Sequence, residues 1–454
     1  MKKQNNAFAK NIFMVSLGCS KNLVDTEIIA GSLLSAGYNW AFEPDEAGIY
    51  IINTCAFLPA ARQEAFEAIE DAVAWKEEVP GRMVVVSGCL PQWDKENECR
   101  NAFPEVDLWT GVNDLENIVK HIEEKSSVCG KSAPVYLYNE NTPRLQLTVP
   151  HMAYLKIADG CNNCCTYCAI PGIRGALRSR TVSSVVKEAE NLIANSVKEL
   201  LVIAQDITAF GADRPESGET LVTLLEALNN IEGEFVIRLL YTHPAHYTDE
   251  FIDFLARRDT KVLPYIDMPL QHISDRILKD MHRHVTKARI LEILKSLRER
   301  VKDLTLRTTF ITGFPGETEE EFNELLAFIK EQKFERCGVF PYSAEPRTPA
   351  AKMKDQVPAE VAEERAAKLM RIQKNIMKKA NKAWIGREVT VLVDAVENGF
   401  AQGRAMMDAP EIDNSILFPA PGRKVKEGTF CQVRITDADS YEFTGEIVKG
   451  NRKK

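Results

Sequence analysis

The sequence predicts an α/β multidomain chain: an N-terminal open parallel α/β sheet, a central partial (βα)6 barrel of TIM type, and a small C-terminal β-barrel of OB-like kind. Three observations carry this. Three short apolar, β-branched runs near the N-terminus each end in a cysteine, 36 and then 34 residues apart, the length of one βα unit. Six further strand-like runs between residues 153 and 342 are separated by amphipathic helical stretches. Beyond residue 388 short alternating runs replace the helical period.

A chain of 454 residues, 45% of them hydrophobic, accommodates two to four domains at about 100–200 residues each. Its net charge of −8 removes the simple argument for nucleic-acid binding, because no global positive field draws in phosphates. The first apolar run, 12–17, is broken by Ser16 and is too short for the core of a signal peptide. No stretch approaches the ~18 apolar residues of a membrane span. These features predict a soluble cytoplasmic protein without a membrane partner. Eleven cysteines in a cytoplasmic chain favour metal or redox chemistry over disulfides, and their odd number argues the same way.

The N-terminal strands are expected at 12–17, 49–54 and 83–88, leading into Cys19, Cys55 and Cys89. Helices follow at 25–36, ended by Gly37, and at 60–78, ended by Pro80 and Gly81. Parallel strands joined by right-handed crossovers carry their C-terminal ends on one edge, where open α/β sheets bind ligands. Three thiolates there suit an iron–sulfur cluster with one open iron. Three buried core cysteines are the alternative, since free Cys is often a core residue. Structural zinc prefers four ligands, and Cys99, in a polar helix-like stretch, is the one nearby fourth.

Residues 129–150 lose periodicity and carry Pro134, Asn139, Asn141, Pro143 and Pro150, which reads as an interdomain linker. A strand at 153–158 then leads into Cys161, Cys164, Cys165 and Cys168. Two CxxC pairs back to back offer a zinc site, although zinc pairs are usually separated by about a dozen residues or more. The other reading is CxxxCxxC from Cys161, Cys165 and Cys168, three thiolates on one loop that hold a 4Fe-4S cube with its fourth iron open. The further barrel strands are expected at 199–204, 235–241, 262–268, 304–312 and 338–342. Helices are expected at 181–195, 286–301 and 319–331. A helix at 358–384 precedes C-terminal strands at 388–394, 399–406, 429–438 and 442–448.

The CxxxCxxC loop after a first strand resembles the radical S-adenosylmethionine superfamily. The two cysteine sets together resemble its methylthiotransferase family, across nearly the whole chain. The segment Ser16-Leu-Gly-Cys-Ser-Lys-Asn-Leu-Val-Asp-Thr-Glu27 is similar to the RimO-type branch, whose members modify a ribosomal protein, and not to the tRNA-modifying MiaB type. The segments 170–175, 204–211, 267–274 and 313–318 read likewise. Cys164 departs from the pattern, since relatives commonly carry Arg or another polar residue there.

The resemblance implies domains at 10–128 (methylthiotransferase, auxiliary cluster), 147–377 (radical S-adenosylmethionine core) and 380–450 (TRAM). It implies two 4Fe-4S clusters. Cys161, Cys165 and Cys168 would hold the one that cleaves S-adenosylmethionine to a 5′-deoxyadenosyl radical; Cys19, Cys55 and Cys89 would hold the auxiliary one that carries sulfur. S-adenosylmethionine would be both methyl donor and radical source, and the target would be the β-carbon of an aspartate in small-subunit ribosomal protein number twelve. An electron donor such as flavodoxin or ferredoxin is implied too. The alternatives are a tRNA adenosine methylthiotransferase and a non-catalytic iron–sulfur or zinc protein. Cofactor contacts are expected from Gln205 and Asp206 at the end of the second barrel strand, Arg238 in the third, and Gly313 with Gly316, whose bland reading is a strand-to-helix turn before Glu317. His272 would face the cavity or serve the core. No catalytic residue beyond the cluster ligands is assigned; Cys99, Cys129, Cys337 and Cys431 read as plain thiols.

The C-terminal region from 384 to 450 holds seven basic residues, among them Arg423, Lys424 and Lys449, and eleven acidic ones. That balance suits a basic protein partner and argues against direct nucleic-acid binding; a merely solvated surface is the bland reading. Glu411, Asp413, Asp437 and Asp439 are its expected steering charges.

Overall fold

The computed structural model describes residues 8–127, 135–420 and 425–448. Cys129, Pro134, Arg423, Lys424 and Lys449 lie outside them. The chain divides into two compact units. One comprises Met1–Leu147, Ala158–Arg180 and Glu345–Thr348, the other Thr148–Ile157, Thr181–Ala344 and Pro349–Lys454.

The first unit is built on strands β1 (Asn11–Ser16), β2 (Asn39–Trp40), β3 (Ile49–Thr54), β4 (Met83–Gly88) and β5 (Leu108–Gly111), all parallel, in the order β2-β1-β3-β4-β5. Successive residues feed two cores. Ile49, Ile51, Val85 and Leu108 pack with Ile29, Leu33 and Ile118; Tyr50, Ile52, Val84, Val86 and Trp109 pack with Ala65 and Ile69. Burial on both faces explains why these strands read as unbroken apolar runs. β2 and β5 escape the sequence reading because two and four residues are too few to show a period.

The first helix, Ser20–Ser35, begins directly behind Cys19, five residues before the expected start. Its first two turns bury Asn22, Asp25, Thr26 and Glu27, so the polar residues at the start of the helix are interior groups with partners. Part of the expected linker is also fixed: Glu27 takes an ion pair from Arg144 at 2.6 Å and a backbone hydrogen bond from Leu147 at 2.7 Å. The segment Ala158–Arg180 is closed by the two-residue antiparallel strands Ala158–Asp159 and Arg178–Ser179.

The second unit carries β6 (Met152–Lys156), β7 (Glu199–Ile203), β8 (Val236–Leu239), β9 (Val262–Asp267), β10 (Thr305–Thr312) and β11 (Arg336–Pro341). They form one parallel sheet in the order β11-β10-β9-β8-β7-β6, the open partial barrel expected. Thr181, Thr286 and Thr318 cap the helices that follow, each accepting from a backbone N–H three residues on. After the helix Ala359–Lys382, strands β12 (Glu388–Glu397), β13 (Phe400–Ala405), β14 (Ser415–Pro419), β15 (Phe430–Ala438) and β16 (Glu442–Ile447) close into a barrel in the order β12-β13-β14-β16-β15. The strand missing from the sequence reading is the five-residue β14.

Buried ion pairs tie this small barrel to the sheet. Glu199, at the start of β7, receives Arg238 from β8 at 2.7 Å and Arg404 from β13; Arg404 also holds Asp394 at 2.8 Å. Arg336 holds Asp408 at 2.5 Å, and Tyr265 donates to Asp413 at 2.5 Å. Removing one partner of such a group leaves an uncompensated buried charge. Glu199→Gln is therefore expected to destabilise the second unit by about 3–5 kcal/mol, read as a lower urea midpoint. The double variant Glu199→Gln/Arg238→Met should recover part of that loss.

Candidate functional site

The edge of the N-terminal sheet is set by register. Ser16 of β1 pairs with Asn53 of β3, and Thr54 of β3 pairs with Gly88 of β4. The strands therefore end level, and Cys19, Cys55 and Cys89 follow at one edge. Polar side chains stitch the strand ends together. Asn22 Nδ2 donates to the Leu17 carbonyl at 2.7 Å, Asn53 Nδ2 donates to the Asn22 carbonyl at 2.8 Å, and Thr54 Oγ1 donates to the Ser87 carbonyl at 2.6 Å. Gly18 has φ +90, and a Cβ there would stand 2.9 Å from Cys55 Sγ, so the turn into Cys19 lies directly against the second thiol.

The three thiols feel one another and Arg174. Packing around Cys19 works against its ionisation, yet the charges of Lys21 and Arg174 hold the thiol below its ordinary value. Burial pushes Cys55 up, and pushes Cys89 up to about 12 with Arg174 pulling the other way. Cys19 is exposed while Cys55 and Cys89 are buried, so the thiol set is reachable from one side. Soft sulfur donors converging at a sheet edge beside a fixed cation fit an anionic iron–sulfur cluster.

The loop Ala158–Arg180 belongs to the same unit. Its neck is tight: Cys161 N–H donates to the Gly175 carbonyl at 3.1 Å, and Leu177 N–H donates to Asn162 Oδ1 at 3.0 Å. A Cβ on Gly160, at φ +79, would lie 2.0 Å from the Ala176 carbonyl oxygen, so only glycine closes the loop there. Cys165 is buried, Cys161 and Cys168 are half-buried, and Cys164 is exposed with a left-handed φ of 50°. The spacing of three sheltered thiols on one loop fits a second cluster.

Arg174, which sequence reasoning left without a role, stands between these elements. Its guanidinium binds Asp159 at 3.1 Å, Asp25 at 2.8 Å and Cys89 Sγ at 3.5 Å. The signal available in the sequence was one arginine in an otherwise apolar turn, Ile170-Pro-Gly-Ile-Arg174.

In the second unit, Gln205 and Asp206 follow the C-terminal end of β7. Asp206 binds His246 Nδ1 at 2.9 Å and accepts from Thr208 N–H at 2.9 Å. Burial would raise its carboxyl, but the hydrogen bonds from His246 and Thr208 and the neighbouring histidine charge together outweigh it and hold Asp206 down to about 2. His243, whose Nδ1 accepts from Ala245 N–H at 3.2 Å, is pushed down to about 2 by burial, with Arg283 acting the same way. The ligand atoms of Asp206, His243 and His246 lie within 4.8 Å of one another. The two histidines, three positions apart, were missed because a pair of histidines alone does not mark a site, and their partner Asp206 lies about 40 positions earlier in the chain.

Three of the expected cofactor contacts have partners within the chain. Arg238 is 1% exposed and spent on Glu199, on the Met406 carbonyl at 3.2 Å and on the Tyr265 ring. The close approach that Gly313 permits is to a helix: a Cβ there would lie 2.3 Å from Ala362 Cβ. Gly316 donates to the Asp355 carbonyl at 2.8 Å and accepts from Arg276, as in a turn. His272 is fully buried, with Nδ1 accepting from Ser274 N–H at 3.0 Å and Nε2 3.4 Å from Glu317, a structural group. Cys99 lies in the core of the first unit, and Cys337 and Cys431 are half-buried.

Several acids of the C-terminal barrel are paired. Asp394, Asp408 and Asp413 are committed to the ion pairs and hydrogen bonds described above, and the Asp413 side chain is only 2% exposed. Glu388 and Glu446 flank Arg434 at 2.7 and 3.3 Å, and Asp439 pairs with Lys378 at 3.2 Å. Glu411, Asp437 and Asp439 remain exposed, and of the four expected steering charges only Asp413 has a buried side chain.

Residues 155–329 match the Radical SAM superfamily, residues 11–111 the group described as Uncharacterized protein family UPF0004, and residues 385–448 the TRAM domain. A protein of Geobacter sulfurreducens called ribosomal protein uS12 methylthiotransferase RimO is 43% identical over 446 residues, 97% of this chain and 99% of the relative. Proteins of the same name from Geotalea uraniireducens and Heliobacterium modesticaldum are 41% and 42% identical over 98% and 96% of this chain, and 100% and 95% of their own lengths. Among solved structures, the radical S-adenosylmethionine methyltransferase TsrM of Kitasatospora setae is similar in fold, with TM-score 0.55 and 14% identity over 86% of this chain and 79% of its own.

The Asp206 group yields a pH prediction. An ordinary aspartate titrates near 3.9, so the unfolded chain binds this proton at higher pH than the folded one. Its stabilising contribution is present above about pH 4 and is lost as pH falls through the folded value of about 2. Asp206→Asn should flatten the acid side of the stability profile between those limits, followed by circular dichroism during acid titration.

Proposed function

This chain belongs to the RimO-type methylthiotransferase family of radical S-adenosylmethionine enzymes, and from that premise we propose that it adds a methylthio group to the β-carbon of an aspartate in small-subunit ribosomal protein uS12. What carries the reading is that Cys19, Cys55 and Cys89 end level at one sheet edge, in the same folded unit as the loop of Cys161, Cys165 and Cys168.

Each trio would hold one 4Fe-4S cluster. When bound, the clusters and S-adenosylmethionine supply the electron, the carbon radical and the sulfur that no side chain supplies for an unactivated C–H bond. The chain's residues do the rest. Gly160 and the Cys161 N–H fix the neck of one loop, Asn22, Asn53 and Thr54 fix the ends of the strands behind the other trio, and the exposed face of Cys19 keeps that trio reachable. Gln205 and Asp206 remain the proposed S-adenosylmethionine contacts, with Asp206 held ionised to receive a positive group. The proposed functional divisions stay at 10–128, 147–377 and 380–450. The electron donor is a small flavin or iron–sulfur protein of the flavodoxin or ferredoxin class. The setting is the cytoplasm, and no helix among the described residues is long and apolar enough to cross a membrane.

The cysteine assignment is tested by iron and product analysis after anaerobic reconstitution. Cys161→Ala, Cys165→Ala and Cys168→Ala should each abolish 5′-deoxyadenosine formation, while Cys164→Ala keeps most of it. Cys19→Ala, Cys55→Ala and Cys89→Ala should keep that cleavage but lose methylthio transfer, with about half the iron gone when all three are changed. Full iron in that triple variant would contradict the assignment.

The substrate is tested by offering the enzyme a uS12 peptide with its target aspartate and, separately, bulk tRNA. Methylthio mass is expected on the peptide alone. Mass on tRNA with none on peptide or intact protein would establish the nucleic-acid reading instead. Charge reversal at Glu411 and Asp437 should raise KM for the protein by a few-fold at low salt and leave cofactor cleavage unchanged, because exposed charges act on encounter and are screened beyond about 10 Å.

A further inference from the structure

We propose that Arg174 is a positioning residue of the auxiliary site: carried by the loop of the other cysteine trio, it donates a charge-assisted hydrogen bond to the sulfur of Cys89 and raises the reduction potential of the cluster held there. The proposal rests on the assignment of Cys19, Cys55 and Cys89 to that cluster.

The geometry is specific. Arg174 closes the short helix Ile170–Arg174, six residues after Cys168, and that helix packs on the short helix Cys89–Trp93. Ala169 and Ile173 lie in the same apolar core as Leu90 and Val112, so the backbone around the arginine is held by packing and not by the charge alone. The guanidinium is 2% exposed. One nitrogen faces Asp159 at 3.1 Å, two residues before Cys161. The other faces Asp25 at 2.8 Å, Asn22 Oδ1 at 3.4 Å and Cys89 Sγ at 3.5 Å. A carboxylate from each cysteine-bearing segment thus fixes the fork, and the fork aims one edge at a proposed ligand sulfur.

A ligand sulfur becomes more electron-rich when its cluster is reduced. A donor and a fixed positive charge beside it therefore favour the reduced state, as hydrogen bonds to cluster sulfurs do generally. Exclusion of water strengthens that effect. The two aspartates oppose it: Asp25 lies on the same guanidinium nitrogen as the sulfur, so its negative charge weakens the cation that the sulfur feels.

These opposed signs give the experiment. The reconstituted full-length holoenzyme is titrated potentiometrically, reading by electron paramagnetic resonance the signal that Cys89→Ala removes. Arg174→Met should lower the reduced-to-oxidised ratio at the wild-type midpoint at least tenfold, which for one electron is about 59 mV. Arg174→Lys keeps the charge and should shift it less. Asp25→Asn should shift it upward. Unchanged potentials in all three, or a downward shift in Asp25→Asn, would overturn the proposal. Should Arg174→Met fail to retain the auxiliary cluster, the signs in Arg174→Lys and Asp25→Asn decide. Failure of the cysteine assignment shows separately, as full iron in the triple variant of Cys19, Cys55 and Cys89.

Discussion

The auxiliary site depends on the register of three parallel strands. Side chains alternate along a strand, so a slip of one residue would exchange the two faces and bury Tyr50 and Ile52 where Ile49 and Ile51 belong. The same slip would move Cys55 by one residue rise, about 3.3 Å, relative to Cys89. Two separate apolar cores therefore hold the thiols level. One of these cores includes Cys89 itself, and both enforce the pairing of Thr54 with Gly88. The interior polar groups Asn22, Asn53 and Thr54 then lock the ends, where apolar packing gives out.

Much of this was legible in the sequence, for a physical reason. Strands buried on both faces must be apolar throughout, and a right-handed crossover makes each unit about the same length. The cysteine spacing therefore reports the sheet edge before any coordinates exist. The first turn of the helix was not legible, because Asn22 looks like a surface residue when its partner Asn53 lies 31 positions away; the burial of Asp25 and Glu27 was hidden likewise, their partners Arg174 and Arg144 lying 149 and 117 positions away. Periodicity sees neighbours along the chain; it does not see a buried polar side chain satisfied from another segment. Arg174, His243 and His246 were hidden by the same limit.

Two of the expected cofactor contacts, Gly313 and Arg238, have partners within the protein. Gly313 and Arg238 were selected by residue type, since glycine allows close approach and arginine binds anions. Both properties are present and both are used, but within the protein. Gly313 admits the helix Ala359–Lys382, and Arg238 neutralises Glu199. A residue type states what an atom group is able to bind and leaves open whether the partner is a ligand or the chain itself. Position along the strand discriminates: Arg238 reaches toward Glu199 at the first residue of β7, the end opposite the one where α/β barrels bind ligands, whereas Asp206 follows the last.

Charge counting in the C-terminal barrel meets the same limit in a sharper form. Eleven acids against seven bases suggest a surface that attracts a basic partner. Yet Asp394, Asp408 and Asp413 face Arg404, Arg336 and Arg307, and Arg336 and Arg307 lie on strands of the preceding sheet, outside the segment that was counted. A net charge summed over a domain is a surface property only if its ionised groups are at the surface and its counter-ions are inside the sum. Here neither holds for Asp408 and Asp413. Two of the eleven acids, Asp408 and Asp413, thus fasten the barrel to arginines of the sheet, and a partner in solution meets a field set by the exposed remainder, Glu411 and Asp437 among them. Such exposed charges are screened by salt and act on the rate of encounter more than on the choice among partners.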